Sequence, residues 1–172
     1  MFFIAFRLER FGLDRRIIDI IEDRKIESLR WVQVLALRAG VLDGENIFVS
    51  APSASGKTFI GELAALQNIV KNKKKSVFLV PLRALAAEKY YEFAKIYSKL
   101  GIKVEIRTGD YEINKETLEK VDLLVSTYER FDSLLRNGLW WLTEVGMIVI
   151  DEVHMINDIN RGPRLESLLA RL

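Results

Sequence analysis

The chain has 172 residues, 49% apolar and 29% charged, with a formal net charge of +2. A chain of this length buries roughly 70% of its unfolded surface as one domain. With no cysteine, one histidine, 10 Gly and 3 Pro, it excludes disulfide scaffolds, thiolate or histidine-rich metal centres, cysteine nucleophiles and collagen-like repeats.

Phe2-Phe3-Ile4-Ala5-Phe6 is apolar but short, and Arg7, Glu9 and Arg10 follow it. It lacks a basic leader and a small-residue cleavage site, so it does not read as a signal peptide. No apolar run approaches the ~18 residues of a membrane span; the expectation is a cytoplasmic protein with no membrane partner. Residues 14–26 predict a helix with Ile17, Ile18, Ile21 and Ile26 on its apolar side. Ile47-Phe48-Val49 is the first of several short apolar runs read as strands buried on both faces. The others are Val77-Phe78-Leu79-Val80, Leu123-Leu124-Val125 and Met147-Ile148-Val149-Ile150, with Val104 to Ile106 as a more exposed candidate.

Helical periods lie between these runs. Phe59, Leu63, Leu66 and Val70 share one face of a helix starting near Gly56. Leu82, Leu85, Tyr90, Phe93 and Ile96 mark a second, closed by Gly101, and residues 129–136 a third, stopped by Asn137-Gly138. Alternation of strand and helix predicts right-handed crossovers and a three-layer α/β domain with a mainly parallel sheet. Residues 1–32 read as a helical lead-in and 33–172 as the main domain.

Ala51-Pro52-Ser53-Ala54-Ser55-Gly56-Lys57-Thr58 sits between a predicted strand and a predicted helix, the context of a phosphate-binding loop. Backbone N–H groups of Ser53, Ala54, Ser55 and Gly56 can cradle phosphate oxygens, with the helix dipole behind them. Lys57 can reach the outer phosphates of ATP, and the Thr58 hydroxyl can ligate Mg²⁺. Ala51 stands where this loop usually has glycine. The plain alternative is a strand–turn–helix junction with an exposed lysine. Asp151-Glu152 ends an apolar strand, where a parallel sheet opens its ligand crevice. Asp151 can hold Mg²⁺ through water, and Glu152 can orient or deprotonate the attacking water. An acidic cap on the next helix is the alternative.

With Asp151-Glu152-Val153-His154, the loop resembles superfamily 2 helicases of the DExH type. Pro81-Leu82-Arg83, Thr108-Gly109-Asp110, Ser126-Thr127-Tyr128-Glu129-Arg130 and Arg161-Gly162-Pro163 resemble further motifs of the superskiller-type branch, in that branch's order. The chain looks most like the archaeal fork-repair DNA helicase family. The resemblance implies a RecA-like P-loop NTPase domain that uses ATP and Mg²⁺. It implies strand contacts at Arg83, Thr108, Gly109, Thr127 and Arg130, an adenine-reading Gln33, and a coupling role for His154. Arg30-Trp31-Val32 stands where the family has prolines before this glutamine.

A grip on phosphates suits a motor that moves along any sequence, yet Arg83 alone also reads as a solvated helix start and Thr127 as a helix N-cap. Lys71, Lys73, Lys74 and Lys75 read as a solvated helix end and loop, with a nucleic-acid role as the alternative; Trp31 reads as a core aromatic, with stacking near the base as the alternative, and Trp140 and Trp141 as core or interdomain residues. No segment resembles the Ser-Ala-Thr coupling motif or the second RecA-like domain. The chain therefore reads as the first motor domain of a longer helicase acting on single-stranded or forked DNA. An RNA helicase of the same branch and a non-catalytic nucleotide-binding scaffold are the alternatives.

Overall fold

A computed structural model describes residues 8–109, 118–138 and 140–172, and its chain divides into two compact units, Met1–Lys73 and Lys74–Leu172. The first unit is helical. α1 (Arg15–Asp23) starts at Asp14, whose carboxylate accepts from the Arg16 N–H and caps the first turn. Isoleucines 17, 18, 20 and 21 are all buried. The helix stops at Asp23, so Ile26 lies beyond it. α2 (Trp31–Arg38) and α1 both pack on α3 (Lys57–Asn72).

Polar groups inside this unit are paired, as burial requires. Gln67 accepts from the Asp14 N–H at 3.1 Å and donates to the Gly12 carbonyl at 2.8 Å, tying α3 to the start of α1. The Glu62 carboxylate, 4% exposed, meets Arg24 at 2.7 Å.

Two expectations fail here. Ile47-Phe48-Val49 forms no strand: the segment joins no sheet among the described residues, and Phe48 is 75% exposed. An apolar triplet becomes a strand only with a hydrogen-bonding neighbour, which a sequence pattern does not specify. Trp31 is 58% exposed rather than a core aromatic, because α2 buries Gln33, Val34, Ala36 and Leu37 instead.

The second unit carries a four-stranded, all-parallel sheet: β1 (Lys75–Val80), β2 (Val104–Arg107), β3 (Leu123–Thr127) and β4 (Val145–Ile150), in the order β2-β3-β1-β4. Side chains alternate across a strand, and β1 divides accordingly. Phe78 meets Phe93 of α4 (Arg83–Tyr97) edge-on at 5.2 Å, and Phe93 stacks on Tyr97. Val77 and Leu79 join the opposite core, with Tyr128, Phe131 and Leu134 of α5 (Tyr128–Arg136) and Leu165 and Leu168 of α6 (Gly162–Leu169). Helices thus cover both faces, giving three layers.

α4 buries Ala86, Phe93 and Tyr97, while Leu82 stays 39% exposed, so its inner face is rotated from the one expected. Trp141 is core and Trp140 is 41% exposed. Lys71, Lys73 and Lys74 are exposed, whereas Lys75 donates to the carbonyls of Glu119 and Val121. No described helix is long and apolar enough to cross a membrane.

Register aligns the strand ends. Val80 lies opposite Thr127, Leu79 opposite Ile150, and Arg107 opposite Ser126. Whatever follows each strand therefore emerges at one rim of the sheet.

Candidate nucleotide and nucleic-acid sites

The loop at residues 51–58 lies in the first unit. Ala54 (φ 59°) and Gly56 (φ 88°) both adopt the left-handed conformation, which turns successive N–H groups toward one concavity. The Lys57 ammonium donates to the carbonyls of Ala51 at 2.7 Å and Pro52 at 2.9 Å, so the loop curls round its own lysine. Two of its three N–H bonds are thereby used. The Ser55 hydroxyl is buried without a hydrogen-bond partner among the described residues. Ser53 is exposed, and Thr58 is partly buried at the second position of α3. A buried orphan hydroxyl beside a cation and left-handed turns fits an anionic, oxygen-rich ligand such as a polyphosphate.

Gln33 is bound to this loop. Its side-chain oxygen accepts from the Arg30 N–H at 2.8 Å, and its amide nitrogen donates to the Gly56 carbonyl at 3.2 Å. It is 5% exposed. A Cβ on Gly56 would come within 2.3 Å of that amide nitrogen, so glycine meets both the backbone angle and the close approach.

The acidic doublet lies in the second unit. The Asp151 N–H donates to Leu79 O at 2.9 Å, carrying the β4–β1 pairing one residue past the strand. Glu152 then turns left-handed (φ 56°), an uncommon conformation for a residue with a Cβ. Its N–H donates to Asp151 Oδ1 at 3.0 Å, and its carboxylate lies 3.1 Å from His154 Nδ1. Both Glu152 and His154 are exposed. The Tyr128 hydroxyl donates to the Asp151 carbonyl, reaching from the end of β3 across β1. Burial, reinforced by the charges of Asp151, Glu152 and Glu129, pushes the Tyr128 phenol above its ordinary range. It therefore remains a donor at every physiological pH.

The rim holds a second feature. A groove of about 650 Å³ is lined by Pro81, Leu82, Arg83 and Ala84 from the β1–α4 junction, and by Gly109 after β2. Thr127, Glu129, Arg130 and Ser133 of the β3–α5 segment add a further wall. Arg83 and Gly109 touch: a Cβ on Gly109 (φ 84°) would lie 3.7 Å from Arg83 Nη2. Arg83, Gly109, Thr127 and Arg130, scattered over nearly fifty positions of sequence, thus line one groove. Thr108 does not line the groove, and Asp110 lies outside the described residues.

The sequence reading gave no role to two groove residues, Arg161 and Arg164. Their signal was a pair of arginines three apart at the start of α6. It also missed Tyr128 as the link between groove and doublet.

The family model for DEAD/DEAH box helicases matches residues 30–172. The chain belongs to the DEAD/DEAH box helicase family. It is 43% identical over 166 residues to the ATP-dependent DNA helicase Hel308 of Pyrococcus abyssi, covering 96% of this chain and 23% of that protein. With the Hel308 of Caldivirga maquilingensis it shares 48% over 153 residues, 89% of this chain and 20% of that one. Among solved structures, the DUF1998 helicase MrfA superposes with a TM-score of 0.78 at 27% identity, covering 92% of this chain and 26% of MrfA. The structure of MrfA bound to DNA and AMPPNP superposes at 0.73 with 29% identity, covering 84% and 21%. The chain therefore spans about a fifth to a quarter of these relatives. Membership of the helicase family agrees with the RecA-like arrangement of the parallel sheet and its helices.

Proposed function

We propose that residues 33–172 are the first motor domain of an ATP-dependent DNA helicase. Joined to a second RecA-like domain, it hydrolyses ATP to move along and unwind DNA. The observation that carries this reading is the rim of the sheet. Four of the five residues read as strand contacts, Arg83, Gly109, Thr127 and Arg130, line one groove there, and the acidic doublet ends a strand at the same rim, tied to the groove by Tyr128. The Hel308 relatives and the DNA-bound MrfA support DNA as the strand. The intact doublet argues against a non-catalytic scaffold.

Each residue has a role. The turns at Ser53, Ala54, Ser55 and Gly56 offer N–H groups to phosphate oxygens, and Lys57 exchanges its loop carbonyls for them. Thr58 and Asp151 are the residues that would hold Mg²⁺, Asp151 through water. The metal, when bound, neutralises charge that builds as the phosphoryl group transfers. Glu152 orients the attacking water, and the second amide hydrogen of Gln33 reads the adenine edge. His154 relays between nucleotide and strand. Such a protein works in the cytoplasm, on nucleoid DNA in an archaeal cell.

The test is strand-stimulated ATP hydrolysis by the protein carrying both motor domains. Lys57→Ala abolishes turnover with and without DNA, and Arg83→Ala weakens strand binding while sparing ATP affinity. Unchanged turnover in the first variant removes the phosphate-loop assignment; equal loss of both affinities in the second argues against a separate track. Competition between matched DNA and RNA strands separates the DNA reading from the RNA one.

A further inference from the structure

We infer that Arg161 and Arg164 are further strand contacts, gripping phosphates of single-stranded nucleic acid in the groove they line with Arg83 and Arg130. The inference rests on the groove being the nucleic-acid track. Four guanidinium groups, those of Arg83, Arg130, Arg161 and Arg164, line it against one carboxylate, Glu129. Among the described residues, the side chains of Arg161 and Arg164 make no hydrogen bond or ion pair with the protein. Their donors are therefore not used internally, and a groove with this excess of cations attracts a polyanion.

Their placement is built rather than incidental. Asp158 Oδ1 accepts from the N–H groups of Asn160 and Arg161, both at 2.9 Å, fixing the turn into α6. The Gly162 N–H donates to Asp158 O at 2.7 Å. A Cβ on Gly162 would meet the Ile156 carbonyl oxygen at 2.1 Å, so the backbone here closes to a distance only glycine permits. Leu165 and Leu168, with no exposed surface, root the helix in the core. Arg161 and Arg164 are three apart, a spacing that leaves their Cβ atoms about 5–6 Å from each other on one helix side. Two arginines so spaced suit neighbouring phosphates of a single strand, and the contact carries no base information.

The experiment is fluorescence anisotropy of a fluorescein-labelled oligothymidylate titrated with the 172-residue chain across a fourfold range of salt. Each phosphate contact on a single strand contributes about 0.7 to the slope of log affinity against log salt. The Arg161→Gln/Arg164→Gln variant should lower that slope by about 1.4, compressing the salt effect about sevenfold. Arg161→Lys/Arg164→Lys should restore it, since lysine supplies the same charge. If the double glutamine variant fails to fold by circular dichroism, Arg164→Gln alone, on an exposed side chain, should lower the slope by about 0.7. An unchanged slope in the glutamine variants, with a reduced slope for Arg83→Gln, overturns the role of Arg161 and Arg164 and leaves the track standing. No binding by the parent chain, or no response to Arg83→Gln either, removes the track itself.

Discussion

Tyr128→Phe tests the link between groove and acidic doublet with little disturbance of packing, because the ring stays in place. Tyr128 is 1% exposed, and its hydroxyl donates to the carbonyl of Asp151. Deleting the hydroxyl removes one hydrogen bond and leaves a partly buried carbonyl unsatisfied, a loss of about 1–2 kcal/mol. For a chain of this size that lowers the melting temperature by about 3–6 °C, measurable by tryptophan fluorescence at pH 8.

The pH dependence supplies a second signature. The phenol's folded pKa lies above the ordinary tyrosine value of about 10. Its contribution is therefore fully present below pH 10 and is lost as the pH rises toward the folded value. The advantage of the parent over the variant should hold constant up to about pH 10. It should then shrink by as much as about 1.4 kcal/mol per pH unit. Identical melting at pH 8, with parallel curves above pH 10, would refute the bond.

Gly162→Ala should destabilise the chain by about 2–3 kcal/mol, because the new Cβ meets backbone rather than a yielding side chain; urea denaturation measures it. Gly56→Ala combines a left-handed strain of about 1–2 kcal/mol with displacement of Gln33. It should abolish binding of a fluorescent ATP analogue, and retained affinity would show that the loop tolerates a shifted Gln33. The 172-residue chain alone should bind Mg-ATP weakly, hydrolyse it slowly and unwind nothing, since the second RecA-like domain of the proposed helicase would supply an arginine finger, worth ~10³–10⁵ in rate. Robust strand separation by this chain would overturn the need for a second domain.

β1, β3 and β4 were legible because each carries a run of successive apolar residues, and β2 because Val104 and Ile106 alternate with Glu105 and Arg107; four of the five expected strands form. The fifth, at Ile47, shows the limit of that signal: composition marks a segment fit for a sheet but does not supply its neighbour. The groove residues were legible only through motif resemblance. Nothing in the local sequence at Arg83 or Thr127 says that they face each other, whereas the register of β1 on β3 does. Gln33 was read through its amide chemistry, and the structure adds that both ends of the amide already hold the loop. Arg161, read only as part of a motif, and Arg164 were given no role because their position depends on Gly162 closing on Ile156, a contact six residues apart that no periodicity encodes.

The stretch from Asp151 to Gly162 is pinned at its two ends, by the phenol of Tyr128 at one and by bare backbone contact at the other. Between the pins lie a left-handed glutamate and a tight 3₁₀ turn, with little slack to absorb a push. The arginine-bearing helix and the carboxylates are therefore the two ends of one short segment whose length the two anchors fix. Selection on this protein should accordingly tolerate change in the surrounding loop surfaces sooner than any insertion within it.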